Sequence, residues 1–194
     1  MSNQARQVSF LSIDRQLKKM SVTLFETGRR IGQAVDAVIH PTGGMILGLI
    51  VQTDDRLLRA VAAADFFIFN QPSVVVISEE ALFDPFRSAE KLAGGLSVCR
   101  DIVGSGLVTD QGQYLGDVRE VLMVEGRLRP VYRIAESIWQ KAVGGGFYIP
   151  AELPYAWSRE SACFLVRTEE LMRRRASHPI EAFESSETEP VLAP

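Results

Sequence analysis

The chain has 194 residues, of which 46% are hydrophobic and 23% charged, with a net charge of −3. That balance is ordinary for a globular protein, and with a pI near 5.5 it argues against a whole-protein polyanion binder, whose domains carry a pI above about 9. Two cysteines, Cys99 and Cys163, and two histidines, His40 and His178, form no CxxC or HxxxH spacing, which argues against a zinc site and a disulfide framework.

The first residues carry no uninterrupted apolar h-region of a secretory signal. No stretch reaches the roughly 20 apolar residues that span a bilayer. The expectation is a reduced, cytoplasmic protein. Within the N-terminal segment 1–21, "FLSIDRQLKKM" puts Phe10, Ile13, Leu17 and Met20 at helical spacing, with Arg15, Lys18 and Lys19 off the stripe. This predicts a short amphipathic helix. Its stripe packs on the protein or touches an anionic membrane surface.

Next, Ile31 to Gly48 reads "IGQAVDAVIHPTGGMILG", and Leu115 to Pro130 reads "LGDVREVLMVEGRLRP". Gly32 aligns with Gly116, Ala34 with Val118, Asp36 with Glu120 and Val38 with Leu122, an offset of 84 residues. Both segments hold glycine between apolar runs, which predicts a β-hairpin in each. Further runs follow in each half: Phe66 to Phe69 and Val74 to Ile77, then Phe147 to Pro150 and Ala162 to Val166. Short strands separated by turn signals predict a small barrel or sandwich. Twofold repetition predicts two, over residues 22–82 and 97–168, each around its own core. Between them, "FDPFRSAEKLAGG" carries Asp84 before Pro85 and ends in two glycines, which predicts a linker helix over 83–96. The Ser-, Glu- and Pro-rich stretch 169–194 predicts a disordered tail.

At the hairpins the sequence resembles the PRC-barrel family, in which an aliphatic-Gly pair leads through alternating aliphatics and an Asp into a glycine turn and a second strand. The first copy fits through Ile31, Gly32, Ala34, Asp36, Val38, Ile39, Pro41, Gly44, Gly48 and Leu49. The second fits through Leu115, Gly116, Val118, Val121, Leu122 and Gly126, with Glu120 in place of Asp. A glycine of the second strand is replaced by Pro130, which predicts a distorted or edge strand there. The resemblance covers about three-quarters of the chain. It implies a mainly β fold of two tandem PRC-like barrels and a docking module rather than a catalyst. The family includes the cytoplasmic domain of the photosynthetic reaction-centre H subunit, the C-terminal domain of the ribosome maturation factor, and stand-alone adaptors.

Two strands offer candidate partner-binding residues. In "RLRPVYRI", Arg127, Arg129 and Arg133 alternate with Leu128, Pro130, Tyr132 and Ile134, which predicts one core face and one wet, basic face. That face suits an acidic partner or anionic headgroups, or is a solvated edge that discourages aggregation. Residues 97–168 hold eight basic and eight acidic side chains, so no net field favours nucleic acid. In "MILGLIV", Met45 to Val51, both faces are apolar, which predicts that both are covered. The outer face around Leu47 then meets the other barrel, the linker, the chain's own termini or another subunit.

The remaining chemistry-bearing residues have structural readings. Gly144-Gly145-Gly146 lacks the GK[ST] ending of a phosphate loop and precedes a strand. His40 reads as a turn residue. Asp36 and Glu120, one per repeat, read as acceptors of backbone N–H groups near a bulge or turn. No nucleophile–base pair, metal cluster or cofactor loop emerges. The expectation is a non-enzymatic adaptor without cofactors that binds a partner protein or forms a homo-oligomer. A peripheral membrane or photosynthetic-complex role is the second reading and ribosome maturation the third.

Overall fold

A computed structural model describes residues 10–68, 73–86, 92, 94–124, 128–135 and 146–187. The chain is mainly β, and its strands form two antiparallel-dominated sheets. Those of the first half are β2 (Ser21–Leu24), β3 (Arg30–Ile39), β4 (Ile46–Thr53), β5 (Leu58–Ala62), β6 (Phe66–Ile68), β7 (Ser73–Val76) and β8 (Leu82–Phe83). Those of the second half are β10 (Gly106–Thr109), β11 (Tyr114–Val124), β12 (Pro130–Ala135), β13 (Phe147–Pro150), β14 (Ala156–Ser158) and β15 (Cys163–Val166). Two short strands, β1 (Phe10–Ser12) and β9 (Leu96–Ser97), complete the sheets.

The duplication seen in the sequence recurs in the topology. The first sheet runs β6-β7-β2-β3-β4-β5-β8 and the second β14-β15-β10-β11-β12-β13. In each, the first strand of the half pairs in parallel with a late one, β2 with β7 and β10 with β15. The long strand is bulged at the same place, between Ala34 and Asp36 and between Val118 and Glu120. The motif glycine has a steric cause at Gly32, where a Cβ would sit 2.2 Å from the Gln52 carbonyl oxygen of the neighbouring strand.

The two halves exchange strands. β1 pairs with β11 of the second sheet, Ser12 opposite Leu122 and Phe10 opposite Val124. β9 pairs with β3 of the first sheet, Ser97 opposite Val38 and Leu96 opposite Ile39. Because Val38 and Leu122 are equivalent, Ser12 and Ser97 are equivalent too. Their surroundings agree: the Ser12 N–H donates to Gln16 Oε1 at 2.7 Å, and the Ser97 N–H to Asp101 Oδ2 at 2.9 Å. Ile13 and Leu17 after one strand, and Val98 and Ile102 after the other, have no exposed surface.

The exchange corrects the predicted N-terminal helix. Residues 10–20 form β1 and a single 3-10 turn at Leu17–Lys19. Ile13, Leu17 and Met20 lie in the protein's own core, so this stripe is not free for a membrane surface. Separate cores are corrected as well. One contiguous hydrophobic cluster runs from Val22, Leu49 and Val76 of the first half to Leu107, Tyr132 and Phe164 of the second. Among the described residues each sheet's strand order runs open from edge to edge.

Pairing of the later runs also differs from expectation. Phe66–Ile68 corresponds to Ala156–Ser158, and Phe147–Pro150 to Leu58–Ala62, because β5 and β13 both follow the hairpin and flank β4 and β12. "LRAVA" was hidden by its arginine and alanines, yet Ala60 and Val61 are fully buried. Pro130 does not mark an edge. It opens β12, which lies between β11 and β13, and the first residue of a strand tolerates a missing N–H. The body of the expected linker helix lies outside the described residues. At its start Asp84 Oδ1 accepts the Phe86 N–H at 2.8 Å, a local turn.

The expected disordered tail is overturned for residues 168–187, which form helices α1 (Thr168–Arg174) and α2 (Pro179–Glu187); residues 188–194 lie outside the described ones. Both helix starts have side-chain partners. Asp110, from the turn after β10, accepts the Thr168 N–H and hydroxyl at 3.1 and 2.6 Å. Pro179 occupies the first position of α2, and Glu181 Oε2 accepts the N–H groups of Ser177 and His178 at 3.2 and 3.3 Å. Arg174 of α1, 8% exposed, reaches Glu152 at 2.6 Å and the Ser185 carbonyl at 3.3 Å, tying both helices to the loop after β13.

Candidate functional site

The outer faces of the two sheets, pointing away from the common core, are where the repeats diverge. On the second sheet α2 lies across β12 and β13, beside the end of β11. Ala182 and Phe183 form a buried cluster with Val124 and Val131, joined by Phe10, Tyr148 and Ala176. Beside it, Glu120 takes Arg133 at 3.4 Å and Arg15 at 3.7 Å, with Glu120 and Arg133 about nine-tenths buried. Arg119 stands exposed at the bulge.

The corresponding face of the first sheet is apolar and open. Strand pairing makes Val35 the counterpart of Arg119 and Ile50 the counterpart of Arg133. Val35, Val38, Ile50 and Leu58 line a groove of about 790 Å³ walled by Phe86 and Leu92. Phe86 is 80% exposed and Leu58 41%, which places large apolar surface at the mouth of a concavity. Such surface marks an interaction site more often than scattered exposed side chains do. The chain covers one end itself. Leu92 lies over Gly48, where a Cβ would meet its Cδ2 at 2.8 Å, as Ala182 and Phe183 lie over Val131, the counterpart of Gly48.

Asp36 borders the groove but faces inward to the exchanged strand. Its Oδ1 accepts the N–H groups of Ala37 and Cys99 at 2.8 and 3.1 Å, and its Oδ2 accepts the Ser97 hydroxyl. It therefore pins β9 to β3. Glu120, one methylene longer, instead holds two arginines. The Cys99 thiol is pushed up to about 11, by burial first and the Asp36 carboxylate second, which suppresses the reactive thiolate. Asp101 at the groove's far end is held below the usual carboxylate range, chiefly by Arg100, which reaches its two oxygens at 3.0 Å.

The predicted partner-binding residues are dispersed. Arg127 lies outside the described residues. Arg129 is half-buried, and Arg133 is drawn onto Glu120. Val131 and Ala135, on the face expected to be wet, are 1% and 0% exposed, Val131 because α2 packs on it. Leu47 is half-buried, in contact range of Gly95 at the edge of the groove. The groove residues Val35, Ile50, Leu58 and Phe86 were missed. The signal was present, since aligning the repeats opposes Val35 to Arg119.

Elsewhere the chemistry is quiet. His40 Nδ1 accepts the Gly43 N–H at 2.8 Å, a turn role. Among the described residues no three His, Cys, Asp or Glu side chains gather as a metal site. No helix of these residues is long and apolar enough to cross a membrane. No family model matches the chain, and no curated protein matches it.

Proposed function

We propose that the chain is a non-enzymatic docking protein, a cytoplasmic adaptor built from two PRC-like repeats, that binds a partner protein through the outer face of its first sheet. The observation that carries this reading is the asymmetry between equivalent positions. Where one repeat has Arg119 exposed at the bulge and Arg133 paired with Glu120, the other presents Val35 and Ile50 on the floor of an open groove. Apolar surface exposed in this way costs about 25 cal/mol per Å² relative to burial, a cost that binding relieves. Exchange of β1 and β9 makes the halves one body, so the groove is held on a rigid scaffold rather than on a loop.

A photo-crosslinking amino acid at position 86, compared with one at Tyr114, tests the reading in cells. Tyr114 is similarly exposed on the second sheet. The expected result is one dominant protein adduct at position 86 and none at 114. The captured protein, purified, should bind the chain with affinity lowered about ten-fold or more by Ile50→Arg. Equal labelling at both positions, or binding indifferent to Ile50→Arg, refutes it.

A further inference from the structure

We propose that the occupant of the first-sheet groove is an amphipathic α-helix of the partner protein, seated on β3, β4 and β5 much as α2 is seated on the second sheet. The inference rests on the docking reading above and adds the form of the ligand.

The first argument is backbone accounting. A buried peptide must satisfy its N–H and C=O groups. An extended peptide does so by pairing with a free sheet edge, and among the described residues the strands of this floor are largely paired: β3 is flanked by β2 and β4, β4 by β3 and β5, and β5 by β4 and, at Ala60 and Val61, by β8. An occupant lying on these strands brings its own backbone hydrogen bonds, which a helix does. The second argument is the repeat itself. The equivalent face of the second sheet is covered by a helix, through Ala182 and Phe183 on Val131. In the first sheet Leu92 covers Gly48, and among the described residues Val35, Ile50 and Leu58 continue the apolar floor beyond it. The third is dimension. A groove of about 790 Å³ accepts several side chains, as when a helix inserts residues i, i+3 or i+4, and i+7.

The test uses the intact chain and a displayed library of peptides of about 15 residues, or four helical turns. Enriched peptides should carry apolar residues at i, i+3 or i+4, and i+7, and become helical on binding by circular dichroism. Their affinity should fall about ten-fold or more in Ile50→Arg and in Val35→Arg. Both variants copy the side chain of the sister repeat at the same place, and a thermal melt verifies that each stays folded. Proline-rich or strictly alternating winners, or binding unchanged in both variants, overturn the proposal. A concentration-dependent dimer in sedimentation, abolished by Phe183→Ala, would also overturn it by assigning the groove to α2 of a second copy. An extended partner segment crosslinked at position 86 refutes the helix and leaves the docking function standing, whereas absence of any position-86 adduct refutes the docking function itself.

Discussion

The outer faces of the two sheets start from one pattern and finish differently. Both are built on a bulged long strand with a carboxylate directly after the bulged residue, Asp36 or Glu120, and on a second strand that opposes it. On the second sheet the carboxylate recruits Arg133 and Arg15, and α2 seals the neighbouring apolar ground. On the first sheet the shorter carboxylate turns to Ser97 and Cys99, and the ground beyond it stays apolar and open. One repeat has closed its face with its own chain, while the other keeps a concavity. A duplicated fold thereby keeps one outer face closed and the other open without changing the shared strand order.

The sharpest way to break the comparison is to spoil the closed face. Val131 is 1% exposed beneath Ala182 and Phe183. Val131→Glu buries a carboxylate with no partner, which costs about 3 kcal/mol or more. Lifting α2 relieves that cost, so the loss is capped by the docking energy of the helix. A lower melting temperature, with faster amide exchange confined to residues 179–187, is the expected outcome. Unchanged exchange in α2 would mean that the helix does not hold this face.

Next in size is Asp36, the residue that distinguishes the open face. Asp36→Ala strips the acceptor from Ser97, Cys99 and Ala37, and should destabilise by about 2 kcal/mol in chemical denaturation. The same carboxylate helps to raise the Cys99 thiol to about 11. A raised thiol pKa means less thiolate at a given pH, so alkylation of Cys99 at pH 8 should run about a hundred-fold below that of a free cysteine. Asp36→Asn removes the negative charge and should speed it. Mass spectrometry of iodoacetamide-treated protein reads both rates, and a Cys99 as fast as a free thiol would contradict the burial described.

These residues also mark how far the sequence could be read. The duplication, the hairpins and their motif glycines were legible because close backbone approach restricts residue type: at Gly32 only a missing Cβ lets the Gln52 carbonyl in. The strand exchange was not legible. "FLSIDRQLKKM" has helical spacing, yet three of its apolar residues are buried by a strand and a 3-10 turn, and only the partner Met123–Leu122 backbone decides between them. The tail was misread for a related reason. Composition pointed to disorder, but the distant cap Asp110 starts α1 and Pro179 with Glu181 starts α2, which covers Val131. Local helix signals were there; the surface they were to cover was visible only in three dimensions. In the arginine strand the alternation was real, but Val131 on its outer face is covered by α2 rather than wet.

Converting the closed face toward the open one gives a smaller effect. Arg133→Leu removes the nearer of Glu120's two cations and leaves Arg15 at 3.7 Å. A loss of about 1–2 kcal/mol is expected, because the carboxylate is half-satisfied in a site about nine-tenths buried. A loss above about 4 kcal/mol would mean that Glu120 depends on Arg133 alone.

Smallest of all should be the reverse exchange, Ile50→Arg. Ile50 is half-buried on the groove floor, outside the common core, and its sister position carries an arginine without strain. The long side chain can lie along the apolar floor and keep its guanidinium in water. Asp36, paired with Ile50 across the ladder, offers a nearby negative charge. The lost apolar burial and the gained charge oppose each other, so stability should change by no more than about 0.5 kcal/mol. Stability and binding then separate at a single position: a side chain with almost no role in folding should be decisive for partner affinity. If Ile50→Arg instead costs as much as Val131→Glu, the first face is a buried structural surface like the second, and the contrast between the repeats disappears.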